Sequence, residues 1–171
     1  MIHRNRKSGV IQHKLRAQDV EIVVANDFNY RQNIIVPNVH WGMSLPYEAD
    51  MVVLRQSGYA IEIEIKVSAS DIKADLKKRH HHDSNLFREL WFAVPEKLEA
   101  HPDIPHRAGI ISIGWSYDRY HATRTRGASV NRNAKKWADR QISALTRLGC
   151  MRTWTLKAHL SEIRHRLEQV K

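Results

Sequence analysis

The chain lacks several features that would place it in common protein classes. It has one cysteine, Cys150, among 171 residues, which excludes an internal disulfide and a zinc site built on cysteine thiolates. No apolar run approaches the roughly 18 residues of a membrane-spanning helix, and the basic N-terminus precedes no apolar stretch of signal-peptide length. We therefore expect a cytoplasmic protein of one domain, or of one domain with an appendage.

Acidic residues are the minority among the charged side chains. The sequence has 28 lysine and arginine residues against 18 aspartate and glutamate residues, with a formal net charge of +10. Such a basic chain is typical of proteins that bind the phosphate backbone of nucleic acids, although an acidic protein partner would also be attracted. The residues expected to contact nucleic acid are Lys73, Lys77, Lys78, Arg79, Arg124, Arg126, Lys135 and Lys136.

A β-hairpin is predicted near the middle of the chain. Residues 59–67 alternate between apolar and polar side chains, and this period of two indicates a strand. The apolar run 51–54 indicates a second strand. Gln56-Ser57-Gly58 lies between them, and Gly58 can adopt the left-handed conformation that a three-residue hairpin loop requires.

A three-residue loop also determines which residues face one another. Asp50 then lies opposite Glu64, and Glu48 lies opposite Lys66. Opposed side chains have Cβ atoms about 4.5–5.5 Å apart, and two carboxylates at that distance repel. Bound Mg²⁺ or Mn²⁺ would remove this repulsion, because both ions prefer oxygen ligands. The alternative is a solvated strand face on which Glu and Lys provide solubility.

At these residues the chain resembles the PD-(D/E)XK nuclease superfamily. Its motif is an acidic residue at the start of one strand, followed by Asp/Glu-x-Lys on the next. Asp50 matches the first acid and Glu64-Ile65-Lys66 the tripeptide, while Ala49 stands where the motif usually has proline. Through residues 64–75 and 90–94 the chain is similar to the MmcB-like family of DNA-repair endonucleases.

The resemblance, which covers roughly residues 12–115, implies a metal-dependent site for phosphodiester hydrolysis. Asp50 and Glu64 would hold Mg²⁺ or Mn²⁺ together with the backbone carbonyl of Ile65, and the metal would lower the pKa of a bound water. Lys66 would position that water or help to deprotonate it, and would offset negative charge developing on the phosphate.

Other carboxylates are candidates for additional metal ligands. Many members of the superfamily add a carboxylate from the first helix, for which Glu21 is the candidate in this chain and Asp19 its competitor. Glu48 and Glu62 are further candidates, with pairing to Lys66 or Arg55 as their alternative role.

The predicted elements give an α/β, restriction-endonuclease-like αβββαβ core with a mixed central sheet flanked by helices. We expect a helix over 10–27 capped by Ser8, a strand over 33–36 closed by Pro37, and hairpin strands at about 49–55 and 59–67. A helix starting at Ser68 or Ser70 and running to about Arg79 follows, with strands at 90–94 and 108–113.

The C-terminal third is expected to be separate from this core. Residues 116–128 are predicted to be a basic loop that stacks on unpaired bases, or a strand with a mobile loop. Ser129 should cap a helix that Gly149 ends, before a last helix. These helices could pack on the core, form a dimer seam or bind DNA. The chain is thus divided into a core over 1–115, with a basic arm over 1–9, and a basic loop with a helical appendage over 116–171.

The function expected from the sequence is metal-dependent hydrolysis of nucleic acid. DNA is the expected substrate, in repair, recombination, restriction or phage biology, and RNA stays open. A homodimer would provide the two sites needed to cut both strands of a duplex. The alternatives are a non-catalytic nucleic-acid-binding module on the same fold and an interaction protein whose acidic hairpin face meets a basic partner.

Overall fold

The computed structural model describes residues 3–4, 11–12, 14–40, 45, 47–75 and 84–169. None of the helices within these ranges is long and apolar enough to cross a lipid bilayer. The elements, in chain order, are β1 (His3–Arg4), β2 (Ile11–Gln12), α1 (Ala17–Asp27), β3 (Ile34–Val39), β4 (Ala49–Leu54), β5 (Ala60–Ile65), α2 (Ala69–Asp75), β6 (Phe87–Pro95), a short 3₁₀ helix (Glu96–Leu98), β7 (Gly109–Ser116), β8 (Arg119–Arg126) and α3 (Asp139–Gln169).

The central sheet has six strands in the order β3-β4-β5-β6-β7-β8. The pairs β5–β6 and β6–β7 are parallel, and the other three pairs are antiparallel. The crossover that joins β5 to β6 contains α2, as a parallel connection requires. The predicted mixed α/β architecture, with its α-β-β-β-α-β order, flanking helices and C-terminal helix, is therefore confirmed.

The β4–β5 hairpin has the register predicted from its turn. Met51 pairs with Ile63, and Leu54 pairs with Ala60. The Arg55 N–H donates a hydrogen bond to the Tyr59 carbonyl oxygen at 3.0 Å, and Gly58 adopts a φ of 83°. This register places Asp50 across from Glu64, as expected.

Helices cover both faces of the sheet. On one face α1 packs through Val20 and Val24. On the other face α2 packs through Ile72, and α3 packs through Leu145 and Leu148. Two layers of helices therefore enclose the central strands, which have little surface left for solvent.

Strand β5 is buried along its whole length. Ile61 and Ile63 contribute to the core under α1, whereas Ala60 contributes to the core under α3. Because side chains alternate along a strand, Glu62 and Glu64 point toward the face of α2 and α3. Both carboxylates have 0% of their surface exposed, so the interpretation of this strand as a solvated face is wrong.

Two predictions in the N-terminal third are wrong. Helix α1 begins at Ala17 rather than at residue 10, with Arg16 as its N-cap, and the Asp19 carboxylate accepts a hydrogen bond from the Arg16 N–H at 2.9 Å. Ser8, the predicted cap, lies outside the described residues. Pro37 does not close the first strand but lies within β3, which is tolerated because β3 is at the edge of the sheet.

Of the two alternatives for residues 116–128, the structure shows a strand: β8 pairs with β7 as the sixth strand of the sheet. The helices predicted after it differ from the structure. Residues 129–138 are not helical, and Trp137 anchors this segment by donating its ring N–H to the Leu86 carbonyl oxygen at 2.8 Å.

A single helix, α3, replaces the predicted pair, and Gly149 lies inside it. A Cβ atom at Gly149 would lie 3.3 Å from a methyl group of Val36. The glycine therefore allows close packing of α3 on β3 instead of ending a helix.

Candidate functional site

The three residues of the predicted motif meet where β4 begins and β5 ends. The Lys66 Nζ atom lies 2.9 Å from Asp50 Oδ2 and also contacts Glu64 Oε2. The same Asp50 oxygen accepts a hydrogen bond from the Ile65 N–H at 2.8 Å. Two carboxylates from adjacent strands thus converge on one ammonium group.

The site is enclosed on one side and open on the other. Glu64 is completely buried and Lys66 is 5% exposed, whereas a third of the Asp50 side chain is exposed. A small ligand from solvent would therefore reach the cluster beside Asp50.

Asp75 is a fourth member of the cluster that was not predicted as a site residue. Its Oδ1 atom lies 3.4 Å from Lys66 Nζ, and its side chain is almost completely buried. A signal for it exists in the sequence, because Asp75 follows the buried Ile72 by three residues and so shares its face of α2. Ser68 and Asp71 form the expected cap of this helix through reciprocal hydrogen bonds of 3.1 and 3.2 Å.

Lys66 is held in its charged form. Burial by itself lowers the pKa of an amine, but the charges of Glu64, Asp50 and Asp75 outweigh burial and raise the pKa of Lys66 well above its usual range. In this arrangement Lys66 donates hydrogen bonds to the Asp50 and Glu64 carboxylates.

Glu21, the predicted additional ligand, lies within electrostatic reach of Asp50. Burial raises the pKa of Glu21, the Asp50 charge raises it further, and Arg152 on α3 opposes both effects. Its competitor Asp19 instead serves the N-cap of α1. Glu48 is exposed.

Glu62 has a partner that was not predicted. The Tyr47 hydroxyl donates a hydrogen bond to Glu62 Oε2 at 3.1 Å inside the core. Burial and the Glu62 charge together raise the pKa of Tyr47. Arg55, proposed from sequence as a partner of Glu62, lies 3.6 Å from Glu89. Glu62 is therefore placed to hold Tyr47 in position on the face of the sheet that bears Glu64.

The donor atoms of the cluster suit a hard divalent cation. Asp50 and Glu64 present carboxylate oxygens to one point, and Mg²⁺ and Mn²⁺ prefer oxygen ligands. Three carboxylates contact one ammonium, so the formal charge of the four groups is −2. Among the described residues, no group of three or more His, Cys, Asp or Glu side chains is placed so that it could hold a metal ion. The carboxylates surround the Lys66 ammonium instead.

Two of the residues expected to contact nucleic acid, Arg124 and Arg126, make contacts within the fold. Lys73 is exposed on α2. Arg124 is 2.7 Å from Asp27 Oδ2 and stacks 4.4 Å from the Phe28 ring centroid. Arg126 donates hydrogen bonds to two backbone carbonyl oxygens, at 2.8 and 2.9 Å. Both arginines therefore serve the fold, while Lys77, Lys78 and Arg79 lie outside the described residues.

Lys135 and Lys136 are exposed but lie at the opposite end of the hairpin from the cluster. The Lys136 ammonium lies 5.7 Å from the Tyr59 ring centroid, beside the β4–β5 turn. The six residues that separate Gly58 from Glu64 span roughly 20 Å of extended strand. A ligand that reaches both places must therefore be at least that long.

Comparison with known proteins informs the fold. No family model and no curated protein matches the chain. A solved structure with a similar fold is the SPO1766 protein of unknown function from Silicibacter pomeroyi, at 20% sequence identity and a TM-score of 0.61. The alignment covers 89% of this chain and 96% of that one. At this level of identity the likeness is evidence for the fold alone, so a function has to be argued from the cluster itself.

Proposed function

We propose that this protein is a metal-dependent nuclease of the PD-(D/E)XK type that hydrolyses phosphodiester bonds, with DNA as its principal substrate. The observation that carries the proposal is the convergence of Asp50 and Glu64 on the ammonium of Lys66, at the partly open end of a buried hairpin. Three carboxylates meet at this ammonium, and carboxylate oxygens are the ligands that Mg²⁺ and Mn²⁺ prefer.

Asp50 and Glu64 would hold Mg²⁺ or Mn²⁺, with the Ile65 carbonyl as a further ligand and Glu21 as a carboxylate near Asp50. The bound ion would polarise the phosphate and lower the pKa of a coordinated water. Glu64 is held in place because β5 is buried on both faces. Asp50 is oriented by the Ile65 N–H, so the two carboxylates are positioned before any ligand arrives.

Lys66 would act as a cation. Its ammonium lies against Asp50 and Glu64, where it can neutralise charge that develops on a phosphate oxygen. Asp75 lies on the α2 side of the same ammonium and would orient it toward the substrate.

The basic character of the chain supports a nucleic-acid substrate. A formal net charge of +10 attracts polyanions, and the exposed Lys73, Lys135 and Lys136 are available to bind phosphates. Since Lys136 and Glu64 are about 20 Å apart along the hairpin, a bound duplex would have to extend about six base pairs to contact both.

A second candidate is a nucleic-acid-binding module that does not cleave. The observation in its favour is that Lys66 already neutralises part of the charge of Asp50 and Glu64, which gives the cluster a structural role without metal. In that case the affinity for DNA would be unchanged by Asp50→Asn.

The deciding experiment compares cleavage of supercoiled plasmid and of a labelled single strand in Mg²⁺, Mn²⁺ or EDTA. We expect cleavage by the wild type with either metal, and a loss of at least about 100-fold in Asp50→Asn and in Glu64→Gln. Glu89→Gln is the matched control, because Glu89 is a partly buried carboxylate of the same sheet that bonds to Trp91.

Metal-linked stabilisation is measured on the same proteins. A ligand at 100 times its Kd stabilises the folded state by about 2.7 kcal/mol, so Mn²⁺ should raise the Tm of the wild type and of Glu89→Gln but not of Asp50→Asn. Cleavage that persists in Asp50→Asn/Glu64→Gln would refute the site. A folded wild type that binds DNA, gains no stability from metal and does not cleave would favour the binding module.

A further inference from the structure

The C-terminal half of α3 extends beyond the body of the protein. Leu145 and Leu148 are buried against the sheet, and Arg152 donates a hydrogen bond to the Asn38 carbonyl oxygen at 2.5 Å. Every residue from 153 to 169 is exposed. This segment nevertheless carries five large apolar side chains that are each more than half exposed: Trp154, Leu156, Leu160, Ile163 and Leu167.

Trp154 lies on the opposite side of α3, whereas the four aliphatic side chains form one narrow stripe on the helix. Their spacing of four, three and four residues is that of the core positions of a coiled coil. At about 100° per residue the stripe lies on the same side of α3 as Leu145 and Gly149, which pack on the sheet. The stripe is thus the continuation of a face that is already an interface inside the protein.

The residues flanking the stripe are basic. The helix positions on either side of it, within about 100° of its centre, carry Lys157 and Arg164 on one side and His159 and Arg166 on the other. In a coiled coil these flanking positions face the partner helix and determine its identity. A second copy of α3 would present the same positive charges there, and such like-charged pairs destabilise the contact.

We propose that the exposed half of α3 docks an amphipathic helix of a partner protein, whose apolar seam is flanked by aspartate and glutamate. Two observations indicate this partner: the basic residues flanking the stripe attract acidic side chains, and the stripe continues the face through which α3 packs on the sheet. The apolar stripe occupies only the two core positions of each heptad. Such a narrow stripe suits a helix partner, because insertion into a bilayer surface uses a wider apolar face. The proposal is independent of the nuclease site, which lies on other elements.

The test uses two synthetic helices of about three heptads, both with leucine at the core positions. One has glutamate at the flanking positions and the other has lysine. Binding is measured by fluorescence anisotropy on the full chain, with circular dichroism to check that each variant keeps its helix content. We expect the acidic peptide to bind at least roughly tenfold more tightly than the basic one, a difference of about 1.4 kcal/mol.

Two double variants and one control make the result specific. Leu160→Ser/Ile163→Ser should weaken the binding of the acidic peptide at least roughly tenfold. Arg164→Glu/Arg166→Glu should reverse the preference, so that the basic peptide binds more tightly than the acidic one. Met151→Ser is the matched control, because Met151 is also an exposed apolar residue of α3 but lies on its opposite side.

Three results would overturn the proposal. One is a stable dimer of the chain in sedimentation that Leu160→Ser/Ile163→Ser abolishes, since the occupant would then be a second copy. Another is binding to vesicles of phosphatidylcholine with phosphatidylserine that the same variant abolishes. The third is equal or absent binding of both peptides by a folded wild type.

Discussion

Lys66 supplies the positive charge around which the buried carboxylates of the candidate site are arranged. Its Nζ atom is within ion-pair distance of Asp50, Glu64 and Asp75, and the side chain is almost fully buried. From the sequence, the repulsion between Asp50 and Glu64 indicated a metal ion. In the structure the neighbouring ammonium relieves that repulsion. Lys66 is therefore a structural residue as well as a proposed catalytic one.

Replacement of Lys66 should affect folding as well as activity. Lys66→Ala removes the ammonium that contacts Asp50, Glu64 and Asp75, and breaking a buried ion pair from one side typically costs about 3–5 kcal/mol. Urea denaturation at pH 7 should show a loss of this size. Lys73→Ala, on the exposed surface of α2, should change stability by less than about 0.5 kcal/mol. Equal stability of both variants would mean that the cluster is not held by Lys66.

The raised pKa of Lys66 predicts that the contribution of this residue to the free energy of unfolding is constant around neutral pH. A cation with a raised pKa stabilises the fold fully below its unfolded pKa, here 10.5, and loses this contribution as the pH rises through the folded value. The difference in unfolding free energy between wild type and Lys66→Ala should therefore be flat from pH 7 to 9. A decline within that range would show that the amine is already deprotonating.

The contribution of Glu21 to stability should change at acidic to neutral pH, because Glu21 is an acid with a raised pKa. Its stabilising contribution is present below the ordinary value of 4.5 and is lost as the pH rises through the raised folded value. At pH 7 the charged Glu21 thus destabilises the metal-free protein, and Glu21→Gln should raise the Tm by up to about 4 °C at pH 7 but not at pH 4. With Mn²⁺ present, the variant should gain less stability than the wild type. A lower Tm for Glu21→Gln at pH 7 without metal would contradict the predicted repulsion by Asp50.

At the scale of elements, β6 and β7 approach each other closely at one pair of residues. Gly109 pairs with Trp91 across the parallel strands, and a Cβ atom at Gly109 would lie 2.4 Å from the indole ring. The ring is itself held, because its N–H donates to Glu89 Oε2 at 2.8 Å. Glycine at this position therefore allows Trp91 to fill the core beneath α1.

Gly109→Ala should destabilise the fold by about 1–3 kcal/mol, the usual effect of overpacking a core. Gly127→Ala is the matched control, because a Cβ atom there meets nothing within 4 Å. Denaturant midpoints measured on both variants would check this difference. A midpoint for Gly109→Ala equal to that of Gly127→Ala would mean that the indole ring moves away freely.

At the scale of the whole molecule, the placement of the basic residues makes a prediction about DNA binding. Each phosphate contact contributes about −0.9 to the slope of log K against log salt concentration. Lys135→Ala/Lys136→Ala should reduce the magnitude of this slope by up to about two and leave the stability unchanged. Arg126→Ala should lower the stability, because its guanidinium bonds to the carbonyl oxygens of Pro105 and Ala108, and should leave the slope unchanged. An unchanged slope in the lysine variant would place the DNA elsewhere.

Local patterns predicted the part of the fold that carries the candidate site. The alternation in 59–67 predicted β5, and the turn at Gly58 predicted the register that brings Asp50 across from Glu64. The cap formed by Ser68 and Asp71 predicted the start of α2. These features depend on residues near one another in the chain, which is why the sequence was sufficient for them.

Sequence patterns at helical spacing gave wrong predictions for segments that contact distant parts of the chain. Trp137 continues the helical spacing of Leu145 and Leu148 but belongs to a non-helical segment, because its ring N–H bonds to Leu86. Gly149 is normally a signal for a helix end, but here it accommodates Val36 on β3. Neither contact could be foreseen, because each joins segments more than 50 residues apart.

The sequence by itself determined the hairpin, the face shared by Asp50 and Glu64 and the basic charge of the chain, since period, turn chemistry and composition are local properties. Only the tertiary structure decided that β5 is buried on both faces. The tertiary structure also placed Asp75 beside Lys66 and left half of α3 exposed. These outcomes depend on which helix covers which strand, and the packing of the whole chain sets that arrangement.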